Sequence, residues 1–80
     1  MEIVYTFSNT HAVISAERIL LNGKVPVKVM PVPSAIKAGC GLCLRIAPEF
    51  CNKVEKMLAE NSVAFAEIYQ MDNSSFKLIK

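Results

Sequence analysis

The apolar patterns along the chain predict an α+β fold, a sandwich of one four-stranded antiparallel sheet with two helices on one face. Two observations carry this. Segments with apolar residues at every second position are separated by segments in which they recur at helical spacing, and the strand-helix-strand order occurs twice in succession. A third sets the scale: 80 residues, 52% apolar and 20% charged, make one small core and are too few for two domains.

Glu2 to Phe7 are β-branched and aromatic, with Ile3, Tyr5 and Phe7 on one face and Val4 and Thr6 on the other, as in a central strand. Ser8, Asn9 and Thr10 are all favourable helix caps. Ala12, Ala16, Ile19 and Leu20 then keep helical spacing up to Asn22-Gly23, which predicts a helix of about a dozen residues. Val25, Val27 and Val29 alternate with Pro26, Lys28 and Met30 in a second strand. Pro26 has no N–H for a ladder and belongs on a sheet edge, and Pro31 and Pro33 end the strand. Pro33 to Gly41 reads as a loop in which Gly39 and Gly41 give the backbone around Cys40 its freedom.

Leu42, Leu44 and Ile46 alternate with Cys43, Arg45 and Ala47 in a third strand. Pro48 suits a first helical turn, and Phe50, Val54, Met57 and Leu58 form the apolar stripe of a second helix ending near Asn61. Val63 to Tyr69 makes the fourth strand. Asp72 to Ser75 is a turn or linker, after which Phe76, Leu78 and Ile79 form either a short extra strand or a segment that docks on a partner. The resulting β-α-β-β-α-β order is that of the ferredoxin-like sandwich, with residues 1–70 as the domain and 71–80 as its tail.

Nine Lys and Arg against seven Asp and Glu leave a net charge of +2, too weak a bias to point to a polyanion. With no Trp, four Phe, two Tyr and no run of basic residues, the stacking and phosphate-neutralising pattern of a nucleic-acid binder is missing. Met1-Glu2-Ile3-Val4 has an acid where a secretion signal needs a base, and charges interrupt every apolar stretch, so a cytoplasmic protein with no membrane partner is expected. Cys40, Cys43 and Cys51 cannot all pair with one another. They are expected as reduced thiols, which makes reactivity the main functional clue.

The expected topology bears on that clue. The first strand runs up and the third down, so the junction from first strand to first helix and the Cys40 loop share one end of the sheet. Ser8, Asn9, Thr10 and His11 are thereby expected near Cys40, where a helix N-terminus favours a thiolate. Cys51, at the start of the second helix, belongs at the opposite end.

The chain resembles a known family in Thr6-Phe7-Ser8, Thr10-His11-Ala12, Glu17, Met30-Pro31-Val32-Pro33, and Cys40-Gly41 followed by Leu42 to Arg45. It is similar to the selenium/sulfur carrier-like domain of bacteria, also found appended to small sulfur-carrier (TusA/YedF-type) proteins. The likeness covers residues 2 to about 70 and is most specific in the Pro-Val-Pro and Cys-Gly-x-x-Leu-Arg segments. The resemblance implies shuttling of sulfur or selenium with Cys40 as the carrier, between donor and acceptor proteins. Cys43, which makes the segment Cys-Gly-Leu-Cys, departs from the family pattern.

Each candidate residue also has a plainer reading. Cys40 is either an accessible nucleophilic thiolate or a small apolar loop residue. Cys40 and Cys43 have redox-dithiol spacing, but the residues after Cys40 alternate like a strand. Three extended residues span about 10 Å, more than a disulfide bridges, unless Gly41 turns tightly. A zinc site from His11, Cys40, Cys43 and Cys51 has suitable ligands, yet Cys51 is at the wrong end and the single C-x-x-C lacks its second half. No metal or other cofactor is therefore expected.

Cys51 borders the stripe Phe50, Val54 and Leu58 and is expected to pack there. His11 either pairs with Cys40 or is a solvent-facing first-turn residue, and Ser8 and Thr10 are first of all caps. Arg45 shares a strand face with Cys43, where it binds an anion or is simply solvated. Pro31 and Pro33 shape the loop. The expectation is a carrier rather than a turnover enzyme. Two alternatives are an interaction or regulatory module with structural thiols, self-associating as a homodimer through sheet edges and the tail, and a thiol oxidoreductase using Cys40 and Cys43.

Overall fold

The computed structural model describes residues 1–36, 40–73 and 75–80. Strand β1 (Glu2–Thr6) leads into helix α1 (Thr10–Asn22), followed by β2 (Lys28–Pro31) and β3 (Leu42–Ile46). A 3-10 turn at Pro48–Phe50 opens α2 (Cys51–Glu60), and β4 (Glu67–Asp72) folds back into β5 (Ser75–Leu78). The sheet has the order β2-β3-β1-β4-β5, with every neighbouring pair antiparallel.

The α+β architecture with two helices agrees with the sequence pattern, but the sheet has five strands where four were expected. The first four lie in an order compatible with the ferredoxin-like arrangement. The fifth comes from the tail, where Asp72 pairs with Ser75 across a tight turn and Asn73 takes φ 53°. Asn is among the few residues that adopt left-handed backbone readily, so the turn matches its sequence.

Two strand starts move for identifiable reasons. The ladder of β2 begins at Lys28, after Pro26, while Val25 is spent on ending α1, its N–H donating to the Leu20 carbonyl at 2.9 Å. The fourth strand begins at Glu67 and not at Val63, because the Val63 N–H caps α2 by donating to Leu58 O at 2.9 Å. Pairing with β1 opens where the Ala66 N–H donates to Thr6 O at 2.7 Å. At the start of α1 the cap is Asn9, whose Oδ1 accepts from the Ala12 N–H at 2.8 Å, so Ser8 and Thr10 do not fill that role.

Strand β1 pairs with β3 on one side and β4 on the other, and its two faces serve two clusters. Ile3, Tyr5 and Phe7 join Leu44, Ile46 and Ile68 with Val13, Ala16 and Leu20 of α1 and Val54 and Leu58 of α2. Both helices therefore cover this face. On the other face Val4 and Cys43 are enclosed with Ile36 from the β2–β3 connection, rimmed by Met30, Tyr69, Met71 and Phe76. The helices meet closely at Gly23, where a Cβ would collide with the Met57 side chain.

Thr6 is fully buried, and its hydroxyl is satisfied. Its Oγ1 accepts from the Glu67 N–H at 3.0 Å. The tail is tied down beyond its ladder: Ile79 N–H donates to Ile68 O at 2.8 Å, and Lys80 Nζ reaches Glu55 Oε1 on α2 at 3.1 Å. At the other edge, β2 is four residues long and carries Lys28 and Pro31, a poor template for further pairing. No helix among the described residues is long and apolar enough to cross a membrane.

Leu20 is fully enclosed between α1 and the sheet. Leu20→Ala is expected to lower the unfolding free energy by about 2–5 kcal/mol, read from the urea midpoint at unchanged slope.

Candidate functional site

Between β2 and β3, backbone bonds hold the described residues on either side of 37–39. Val32 N–H donates to Gly41 O at 2.9 Å, extending the β2–β3 pairing past Pro31, and Ile36 N–H donates to Pro33 O at 2.9 Å in a turn. The two prolines thus sit where the loop departs, Pro31 paired with Leu42 at the end of the ladder and Pro33 starting the turn. Gly39 lies outside the described residues. Gly41 has φ 93°, a region that side-chain-bearing residues rarely adopt, and open space around it.

Cys40 is fastened from the opposite direction. Its N–H donates to the carbonyl of Phe7 at 3.1 Å, tying the loop to the end of β1 just before the Asn9 cap of α1. Its thiol donates to Leu42 O at 3.7 Å, and its side chain is half-buried against the helix-side cluster. The site thus combines a tethered backbone with a half-buried cysteine.

Cys43 has a different environment. Paired with Thr6 on β1 and Met30 on β2, it is fully buried on the face without helices, with Val4 and Ile36 around it. Its thiol donates to Pro31 O at 3.9 Å. Burial pushes the thiol up to about 11, and the charge of neighbouring Cys40 acts in the same direction. Cys51 is half-buried in the first turn of α2, at the edge of the helix-side core as its stripe implied. It lies beside Tyr5, whose phenol donates to Glu55 Oε2 at 3.4 Å. Desolvation raises the Tyr5 pKa, and hydrogen bonding and charge from Cys51 and Glu55 add to the rise.

Neither His11 nor Arg45 is hydrogen-bonded to Cys40 among the described residues. His11 is exposed on α1 and borders an open depression of about 370 Å³ with Ser8, Asn9, Ser15 and Ser62; Cys40 does not line it. Arg45 is engaged elsewhere, its Nε donating to Glu2 Oε1 at 2.8 Å toward the far end of β3. Among the described residues no three His, Cys, Asp or Glu side chains converge as a metal ion would require.

Two contributors escaped the sequence reading. The Phe7 anchor acts through its backbone carbonyl, which no residue type reveals. Ile36, in what reads as an undifferentiated loop, seals Cys43 from solvent.

A family model described as "Putative Se/S carrier protein-like" matches residues 2–70, from the start of β1 into β4. The chain belongs to this family. No curated protein and no solved structure matches the chain at a significant level. Within this Se/S carrier-like chain the match contains Cys40-Gly41 and the strand end that anchors it, while β5 lies beyond it.

Two outcomes follow for the Se/S carrier-like chain. Gly41→Ala meets no steric obstacle, yet its positive φ is expected to cost about 1–3 kcal/mol in urea unfolding, with Gly41→Asn losing less. The second concerns pH. The Cys43 pKa is raised from 9.0 in the unfolded chain to about 11 in the folded one, so between these values the unfolded state binds fewer protons. Stability is expected to hold below pH 9 and to fall as pH rises toward 11. Cys43→Ala should flatten that part of the profile, leaving a later decline from Tyr5.

Proposed function

We propose that this protein carries sulfane sulfur or selenium on Cys40 in a cytoplasmic relay between a donor and an acceptor protein. The observation that carries this reading is the Cys40 N–H bond to Phe7 O, which holds a half-buried thiol at the end of β1 beside the start of α1. Family membership supplies the class of cargo. The geometry supplies a reason for Cys40 over the other thiols: Cys43 is sealed inside the sheet face, and Cys51 is packed in a helical turn against Tyr5.

In the loading step the Cys40 thiolate attacks the outer sulfur of a donor persulfide. The donor S–S bond breaks, the donor leaves as a thiolate, and Cys40 keeps the terminal S–H; selenium follows the same course with an S–Se bond. Rate is gained from docking, which brings the donor persulfide into line with the Cys40 sulfur. Gly41 and the Phe7 carbonyl position the Cys40 backbone.

Incubation with a cysteine desulfurase and cysteine, followed by peptide mass spectrometry without reductant, tests the reading. One added sulfur on Cys40 is expected, lost in Cys40→Ser and kept in Cys43→Ser and Cys51→Ser. An adduct confined to Cys51, or none at any thiol while inorganic polysulfide also leaves Cys40 unmodified, would overturn it in favour of an interaction module with structural cysteines.

A further inference from the structure

Cys40 and Cys43 have the spacing of a thiol pair in which the second cysteine expels whatever the first carries, and the carrier reading uses only the first. The structure bears directly on whether the second can act. The two side chains belong to different compartments: Cys40 packs against the helix-side cluster, and Cys43 lies in the cluster on the opposite face. Between them Gly41 turns the chain at φ 93° and Leu42 begins β3.

Expulsion of the load by Cys43 requires its thiolate to attack the Sγ of Cys40 from about 3–3.5 Å, in line with the bond between Sγ and the carried group, which breaks as an internal disulfide forms. Cys43 is held away from such a contact by its register. It sits in the middle of three strands, opposite Thr6 on β1 and Met30 on β2, and its thiol is turned to Pro31 O under Ile36. To reach the other face, the start of β3 must leave both neighbours and give up the pairings of Leu42 and Cys43. The ionisation of the thiol points the same way. With the pKa pushed to about 11, roughly one Cys43 in ten thousand is a thiolate at pH 7.

We infer that Cys43 is a locked structural thiol and that the group carried by Cys40 departs only to a nucleophile of a second molecule, a thiolate presented by the acceptor. The cargo in this statement rests on the carrier reading; the inertness of Cys43 does not. In the discharge step the acceptor thiolate attacks the outer sulfur of the Cys40 persulfide and the S–S bond breaks. Cys40 is left as a thiolate and the acceptor becomes the persulfide, so no external oxidant or reductant enters. A folded carrier without its acceptor therefore keeps its load, and no hydrogen sulfide is lost through an internal disulfide.

The test uses the full chain with Cys51→Ser, labelled at Cys40 with 5,5′-dithiobis(2-nitrobenzoate) and freed of excess reagent. In native buffer the mixed disulfide on Cys40 is expected to persist, with a lifetime within about twofold of that of Cys51→Ser/Cys43→Ala, the two differing only in an inert thiol. Added glutathione should release the label promptly. In guanidinium the same adduct should close to a Cys40–Cys43 disulfide, showing that the fold, and not the spacing, prevents closure. Release of the label in native buffer without added thiol, with loss of two hydrogens in mass and a linked Cys40–Cys43 peptide, would overturn the inference while leaving Cys40 a carrier candidate. Failure of Cys40 to take the label would remove the reactive thiol, and with it the carrier reading and the release step inferred for its cargo.

Discussion

Strand β1 is hydrogen-bonded along both edges and buried on both faces, and the placement of the other elements follows from that position. Its odd-numbered residues hold the helices against one side of the sheet, and Val4 and Thr6 anchor the other. Because an antiparallel ladder repeats every two residues, a one-residue slip would exchange these faces, moving Tyr5 and Phe7 out of the larger core. That constraint extends past the strand: the Phe7 carbonyl, left without a strand partner at the end of the ladder, receives the Cys40 N–H. The candidate site is thus built onto the most constrained segment of the molecule.

Three cysteines in one small protein occupy three physical environments. Cys40 lies at a rim, with a glycine beside it and a backbone tether behind it. Cys43 behaves as a small apolar residue of a sheet core, where burial disfavours its charged form. Cys51 closes the first turn of α2 next to a buried phenol whose hydroxyl still finds Glu55. Thiol chemistry depends on the thiolate and on access, so identical side chains are sorted by their surroundings. Cys40 packs against the helix-side cluster, and Cys43 belongs to the cluster on the opposite face.

The C-terminal hairpin shows how a sheet edge is managed. Without β5, β4 would present unpaired backbone groups beside Met71 and Tyr69. The hairpin instead fills that edge, places Phe76 against the open face, and ties Lys80 back to Ile68 and Glu55. Its last link is an exposed ion pair, and such pairs contribute little by themselves. The backbone ladder and the Phe76 contact therefore hold the tail.

Much of this was legible from local pattern. The alternation in Glu2 to Phe7, the helical spacing from Ala12 to Leu20 and the stripe through Val54 and Leu58 each report which face a residue buries, and burial is what a period in the sequence records. Cys40 stood out for a similar local reason, its place between two glycines. The start of β4 was less legible, because Val63 looks like a strand residue until the end of α2 claims its N–H. So was β5, whose pairing depends on an edge that exists only once β4 is in place.

By itself, then, the sequence determined the class of fold, the order of the first elements and a cysteine flanked by glycines between β2 and β3, since these depend on side-chain period and residue type within a few positions. Tertiary structure decided that Phe7 anchors Cys40, that Ile36 seals Cys43, that Arg45 is engaged by Glu2 and that His11 opens onto a different depression. Those outcomes depend on contacts between segments far apart in the chain, where register and packing select among partners that local pattern leaves equivalent.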